Sequence, residues 1–234
     1  AEDLKLENCH YQKDVIDAMF RQVYSDETRP FDSVPHVPGR IFTPNFDMGV
    51  LGQAYNDNIF SDYHVTTGTY NAWNEGWMYR NDGADISECN DVYLFHNGYQ
   101  VGWFQEDEWM QYEVLVDTTA AYNINLRYSA NNTDSKISFS IGDTSITQSY
   151  SLPSTNNWNF WNTFTIPDAI LDSGLNKIRI HCDGGEINTN SFELIKTGNV
   201  NSIDADYISA HTIDEYNIEL LLNKPLDLSA IPNN

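Results

Sequence analysis

Residues 98–114 read Gly98-Tyr99-Gln100-Val101-Gly102-Trp103-Phe104-Gln105-Glu106-Asp107-Glu108-Trp109-Met110-Gln111-Tyr112-Glu113-Val114. From Trp109 onward, Trp109, Gln111 and Glu113 alternate with Met110, Tyr112 and Val114, the period of two of a strand with two different faces. Trp103 precedes that alternation. It lies among Gly102, Gln105, Glu106 and Asp107, where a large ring has less reason to be buried. The stretch predicts a strand with Trp109 directed into a core and, six residues earlier, an exposed indole.

Between Val34 and Thr197 no segment carries helical periodicity. Short β-type runs recur instead at Trp109–Val116, Tyr122–Ala130, Lys136–Ile141, Asn162–Ile166, Lys177–His181 and Ser191–Lys196. Turn-forming clusters separate them, among them Asn131-Asn132-Thr133-Asp134, Gly142-Asp143, Asp172-Ser173-Gly174 and Asp183-Gly184-Gly185. Many short strands at this spacing predict an all-β fold, an antiparallel β-sandwich of the jelly-roll class.

The flanks differ in character. Val15, Ile16, Met19, Phe20 and Val23 form one stripe of a short N-terminal helix, with Asp14 as a candidate cap. Pro30, Pro35 and Pro38 end it in an extended linker. The stripe is expected to pack on a neighbouring domain. Segment 55–100 is irregular and rich in Tyr, Trp, Asn and Asp, as a long binding loop would be. After Asn199, the run from Tyr216 to Asp227 reads as one strand and a turn of a further, Ig-like β domain. The expected organisation is helix and linker over 1–32, the β-sandwich over 33–198, and a linker with a partial β segment over 199–234. Such a chain reads as cut from a longer, multidomain protein.

The 234 residues are 41% hydrophobic and 13% aromatic, ample for a core. Twelve Lys+Arg against 34 Asp+Glu give a net charge of −22. That field repels phosphate backbones and anionic membranes, so nucleic acid and lipid are disfavoured as partners and a neutral one is favoured. No apolar run approaches the roughly 20 residues of a membrane span. The start, Ala1-Glu2-Asp3-Leu4-Lys5, is not a signal peptide. Few Lys and Arg beside many Asn, Tyr and Trp point to a secreted or cell-surface protein, extracellular or periplasmic. Cys9, Cys89 and Cys182 are too scattered for a zinc site and too few for a disulfide framework; one bridge and free thiols are equally open.

Four segments carry a resemblance. They are Val37-Pro38-Gly39-Arg40-Ile41; Tyr79-Arg80-Asn81-Asp82-Gly83-Ala84-Asp85-Ile86; Tyr99 to Trp103 with Glu108 to Val114; and Trp158-Asn159-Phe160-Trp161-Asn162-Thr163 paired with Glu186-Ile187-Asn188-Thr189-Asn190-Ser191-Phe192. In order and spacing they resemble the family 6 carbohydrate-binding modules, including that family's "YR..DGVDI" and "Y.VGW...GEWLEYTV" patterns. The resemblance implies a galactose-binding-like β-sandwich that binds polysaccharide without catalysis. Two aromatic rings in that family grip one sugar while an asparagine bonds its hydroxyls; motif by motif these fall on Trp103, Trp158 and Asn188. The physics agrees, because a pyranose offers an apolar C–H face to an indole and a rim of hydroxyls to an amide that both donates and accepts.

Each assignment has a plainer alternative. Trp103 would otherwise be a buried sandwich tryptophan, and Asn188 a turn residue bonded to its own backbone. Trp158 follows Ser154-Thr155-Asn156-Asn157, which is loop chemistry, whereas Trp161 enters a strand and is expected in the core. Glu106 is a candidate acceptor at the cleft edge, against the commoner fate of a solvated carboxylate. Tyr79, with Trp73 and Trp77, would line a lateral sugar site or plug the long loop; the two are evenly weighted.

One departure concerns calcium. The family's opening continues as "IEAE", whose glutamates help bind a structural calcium, but here Ile41-Phe42-Thr43-Pro44 stands there, and Asn190-Ser191 replaces the cognate Asp. Hard Ca²⁺ needs six to eight oxygen ligands. That site is expected to be lost, with Phe42 packing in its place, while Asp57, Asp62, Asp82, Asp85 and Asp91 leave room for a calcium elsewhere. No metal ligand set or catalytic residue is assigned. Gly-x-Ser-x-Gly, His-Glu-x-x-His and phosphate-cradling glycine loops are absent, and the six histidines show no ligand spacing. The expected function is non-catalytic binding of a neutral polysaccharide, β-glucan, xylan or agar-like, by a module covalently linked to a glycoside hydrolase. The alternative is a structural spacer domain without a ligand.

Overall fold

A computed structural model describes residues 11–22, 24–58, 79–80, 84–199, 207–212 and 218–222. The chain separates into two compact units, 1–198 and 199–234. In the first, the strands are β1 (His36–Val37), β2 (Gly39–Phe42), β3 (Tyr55–Asn56), β4 (Ile86–Glu88), β5 (Tyr99–Gln105), β6 (Trp109–Val116), β7 (Ala120–Ser129), β8 (Lys136–Ile141), β9 (Thr144–Ser145), β10 (Tyr150–Ser151), β11 (Asn162–Leu171), β12 (Gly174–Gly184) and β13 (Glu186–Asn199). One sheet runs β1-β6-β12-β8-β10, with β3 also on β6 and β9 on β8. The other runs β11-β7-β13-β5-β4, with β2 also on β13. The long ladders β6–β12, β12–β8 and β11–β7 are antiparallel, whereas β1 lies parallel to β6. The second unit holds an antiparallel hairpin of β14 (Tyr207–Thr212) and β15 (Ile218–Leu222).

The predicted β-sandwich is the observed fold, and its core follows the alternation of the strands. Met110, Tyr112 and Val114 of β6, Ile178 and Ile180 of β12, and Tyr122, Ile124 and Leu126 of β7 are all buried in one hydrophobic cluster. Each such side chain contributes roughly 1.5–3 kcal/mol by leaving water. Pro167 is tolerated in β11 because that strand is a sheet edge, and its ladder is shifted between Ile166 and Ala169.

Several expectations need correction. Trp109 is on the outer face of β6 with Gln111 and Glu113, half-buried, with the Arg179 guanidinium 4.2 Å from its ring centroid. A period of two separates the faces without saying which is inner; the all-apolar set Met110, Tyr112, Val114 takes the core. Trp161 is likewise outside the core, its indole N–H donating to Asn90 Oδ1 at 2.8 Å. Trp103, which precedes the alternation, is itself on a strand, β5.

The helix α1 (Lys13–Asp17), continued by a π-helical turn over Ala18–Gln22, turns its polar side inward. Asp14, Asp17 and Arg21 are buried, while Val15, Ile16, Met19 and Phe20 are exposed. Arg21 pairs with Asp17 and donates to the Met48 carbonyl at 3.1 Å, so the element is held through buried polar contacts. Phe42 is half-buried; the fully buried ring of that segment is Phe46. Cys89 and Cys182 are free thiols. Cys9, Trp73, Trp77, Asp62 and Asp82 lie outside the described residues.

Candidate functional site

At one end of the second sheet the β5–β13 ladder is irregular. Ile187 faces Phe104 and Thr189 faces Val101, so Gly102 and Trp103 together oppose the single residue Asn188. This is a β-bulge, the device that re-aims a side chain out of the regular pleat. Trp103 absorbs the irregularity with φ of +46°, sparsely populated by non-glycine residues and costing of order 1–3 kcal/mol. Its backbone N–H donates to Asn188 Oδ1 at 3.3 Å. Gly102 leaves open space beside it. A Cβ there would be 3.4 Å from Asn188 Oδ1 and 3.6 Å from Ser87 Oγ, filling the floor of the bulge.

Trp158 arrives from the opposite side, on the loop between β10 and β11. That loop is fixed to the end of β7: Thr155 N–H donates to the Ala130 carbonyl at 2.7 Å, Ala130 N–H to Thr155 Oγ1 at 3.0 Å, and the buried Ser129 hydroxyl to the Trp158 carbonyl at 2.7 Å. Asn188 Nδ2 donates to Ser129 Oγ at 3.3 Å and to the Trp158 carbonyl at 3.4 Å. One amide thus braces the backbones of both indoles. Trp103 and Trp158 are both half-buried, and with Asn188 they line one cleft of about 320 Å³, completed by Ser87, Glu88, Gln100, Asn159 and Glu186. That volume is at the small end of the range for small-molecule sites.

The remaining candidates are elsewhere. Glu106 is exposed and does not line the cleft; its carbonyl accepts from Asn58 Nδ2 at 2.8 Å. Tyr79 belongs to a separate cluster, stacked on Tyr99 at 4.6 Å and tilted against Phe31 at 5.4 Å. Its hydroxyl donates to Asn45 Oδ1 and accepts from Asn97 Nδ2 at 2.9 Å. Burial pushes that hydroxyl up to about 12, so it stays a neutral donor. The cleft holds two carboxylates, Glu88 and Glu186; Glu186 is two positions before Asn188 on the same face of β13, and burial raises its pKa. Strand periodicity from Asn188 would have found it. Glu88 and Gln100 come from β4 and β5, paired strands whose register nothing local announces.

Around Phe42–Pro44 the chemistry does not suit a hard cation. The buried Arg80 guanidinium donates there to the carbonyls of Pro44 at 3.0 Å and Phe46 at 2.6 Å, and stands 3.6 Å from the Phe46 ring centroid. Asn190 is committed to Asp91 at 2.9 Å. Asp91 also takes a bidentate contact from Arg127. Among the described residues no three His, Cys, Asp or Glu side chains are grouped to share a metal ion.

Two indoles and an amide thus meet around one cleft of a two-sheet β-sandwich. The sequence pattern of the carbohydrate binding module (family 6) matches residues 77–196, just over half of the chain, and the chain belongs to that family. Family 6 is a family of non-catalytic binding modules, so carbohydrate binding is its function at this level. No curated protein sequence matches the chain. Similar solved structures include a module of Cellvibrio mixtus lichenase 5A in complex with cellotriose, 22% identical with a TM-score of 0.44, covering 49% of this chain and 88% of that one. Another is a β-1,3-glucan binding module from Bacillus halodurans, 17% identical with a TM-score of 0.48, covering 69% and 98%. A third, from Clostridium stercorarium in complex with cellobiose, is 11% identical with a TM-score of 0.49, covering 70% and 98%.

Proposed function

We propose that the cleft holds one pyranose ring of a neutral polysaccharide between Trp103 and Trp158, with Asn188 and Gln100 serving its hydroxyls. The observation that carries this reading is the bulge opposite Asn188, which turns Trp103 out of the pleat toward the loop of Trp158. Side chains fixed before binding lose little entropy on binding, so a small clamp of this kind can work without rearrangement. A β-glucan, xylan or agar-like chain fits the clamp and the charge of the molecule. Such a module would act outside the cell, holding a covalently attached glycoside hydrolase near its substrate. In this reading no calcium sits at Phe42–Pro44, and sugar binding needs none.

The test is a titration of the whole chain against β-glucan, xylan, agar and laminarin, followed by calorimetry and tryptophan fluorescence. A single clamped ring implies micromolar to millimolar dissociation constants, roughly −8 to −4 kcal/mol. Trp103→Ala is expected to abolish binding without loss of fold. Normal binding by that variant, or no binding to any of the four glycans by the parent, overturns the assignment.

A further inference from the structure

The charge of the cleft is uncompensated. Two of its lining side chains, Glu88 and Glu186, are carboxylates, and none is Lys, Arg or His. Neither carboxylate is hydrogen-bonded or ion-paired among the described residues, in contrast to Asp91 with its Arg127 partner. Gln100 is only 9% exposed and lines the same cleft, and its side-chain amide has no protein partner among the described residues. Its amide atoms still open onto the cleft, so the group can offer both a donor and an acceptor to a ligand there. The whole chain, at −22, adds a field of the same sign.

A ring entering this cleft displaces water from Glu186, which burial already disfavours in its charged form. A hydroxyl can donate one hydrogen bond to a carboxylate but brings no counter-charge. An ammonium brings both. Resting on the sugar-binding reading above, we infer that the cleft prefers a pyranose bearing a free, protonated amine over the same ring bearing a hydroxyl, an N-acetyl group or a carboxylate. The ammonium would lie between Glu88 and Glu186 while the ring stacks on the indoles and Gln100 meets its hydroxyls. Amine-bearing chains, partially or wholly de-N-acetylated hexosamine polymers, are the corresponding polysaccharide class.

The experiment uses the whole chain and the methyl β-glycosides of glucosamine, N-acetylglucosamine, glucose and glucuronic acid. A single ring fits the clamp whatever the linkage of the natural polymer. Tryptophan fluorescence titrations are run at low salt, at a pH where the amine is protonated. The glucosaminide is expected to bind about tenfold more tightly than the glucoside, and the glucuronide most weakly. That advantage should shrink at high salt and fall toward unity in the Glu88→Gln/Glu186→Gln double variant, with thermal unfolding confirming its fold. If the double variant fails to fold, the exposed-site variant Glu88→Gln alone must reduce the ratio. Equal affinity for glucosaminide and glucoside overturns the inference and leaves sugar binding standing. So does an amine advantage that survives both substitutions. Failure of all four glycosides to bind instead overturns the sugar-binding reading itself.

Discussion

Asn188 is the residue on which the cleft turns. Its carbonyl oxygen accepts from the backbone of Trp103, and its amide nitrogen donates to Ser129 and to the backbone of Trp158. These contacts are long, 3.3–3.4 Å, so each contributes at the lower end of the usual 0.5–1.5 kcal/mol. Their value is geometric, because they hold a bulged strand and a loop of distant sequence in register. Asn188→Ala is therefore expected to cost about 1 kcal/mol of stability but at least tenfold in sugar affinity. Denaturant unfolding and calorimetry measure the two effects separately. Equal proportional losses in both would mean that Asn188 is only a structural brace. Sequence motifs located Trp103, Trp158 and Asn188, whose chemistry is distinctive in its local setting. They mislocated Trp109 and Trp161, since a large ring entering a strand can lie on either face, and the choice rests on neighbours from other strands.

Among the elements, the β12–β13 hairpin matters most, since it delivers both Glu186 and Asn188. Its turn residue Gly185 has φ of +64°, and a Cβ there would meet Ser135 N at 2.8 Å and Ser135 Cα at 2.9 Å. Backbone cannot yield as a flexible side chain can. Gly185→Val should destabilise the sandwich by about 2–4 kcal/mol, seen as a lower melting temperature and weakened sugar binding. An unaltered melting temperature would show that the turn relaxes freely. The loop between β4 and β5 is tied down differently, by the Arg127–Asp91 pair with Asn190 behind it. Burial acts to raise the Asp91 carboxyl, but the Arg127 and Asn190 hydrogen bonds outweigh it and hold the group below its ordinary value. The helix α1 shows the limit of pattern reading. Its apolar stripe is real, yet Asp17 pairs with Arg21, Arg21 reaches the Met48 carbonyl, and the stripe is left outside.

For the whole molecule, two buried acids contribute a loss of stability as pH rises. Burial pushes Glu108 from 4.5 up to about 7 and Asp47 from 3.8 up to about 6. Folding therefore favours their protonated forms. Their contribution is fully present below the unfolded values and is lost as pH rises through about 6 to 7. The melting temperature should fall between pH 4.5 and 7, with Glu108 accounting for at most about 3 kcal/mol. Glu108→Gln loses some stability at every pH, because two backbone N–H groups donate to the carboxylate, but its decline over that range should be shallower. Parallel curves for parent and variant would exclude Glu108 as the source. Metal removal belongs at this scale too. Chelation with EDTA is expected to leave both melting temperature and sugar affinity unchanged, and a fall in either would point to a bound cation.

The sequence by itself determined the fold class, through a period of two repeated in strand after strand, and the family, through motifs whose order survives without coordinates. The two indoles and the amide were named through the family resemblance of the motifs that hold them; local chemistry alone would have left Asn188 a turn residue. Only the tertiary structure decided which cleft they share. The bulge at Trp103 arises from a mismatch between β5 and β13, and the carboxylates and Gln100 enter from β4, β5 and β13 by register alone. Register between distant strands is set by summed core packing across both sheets, a quantity no local stretch contains. For the same reason Glu106, close to Trp103 in sequence, is outside the cleft, and Glu186, 83 positions away from Trp103, lines it.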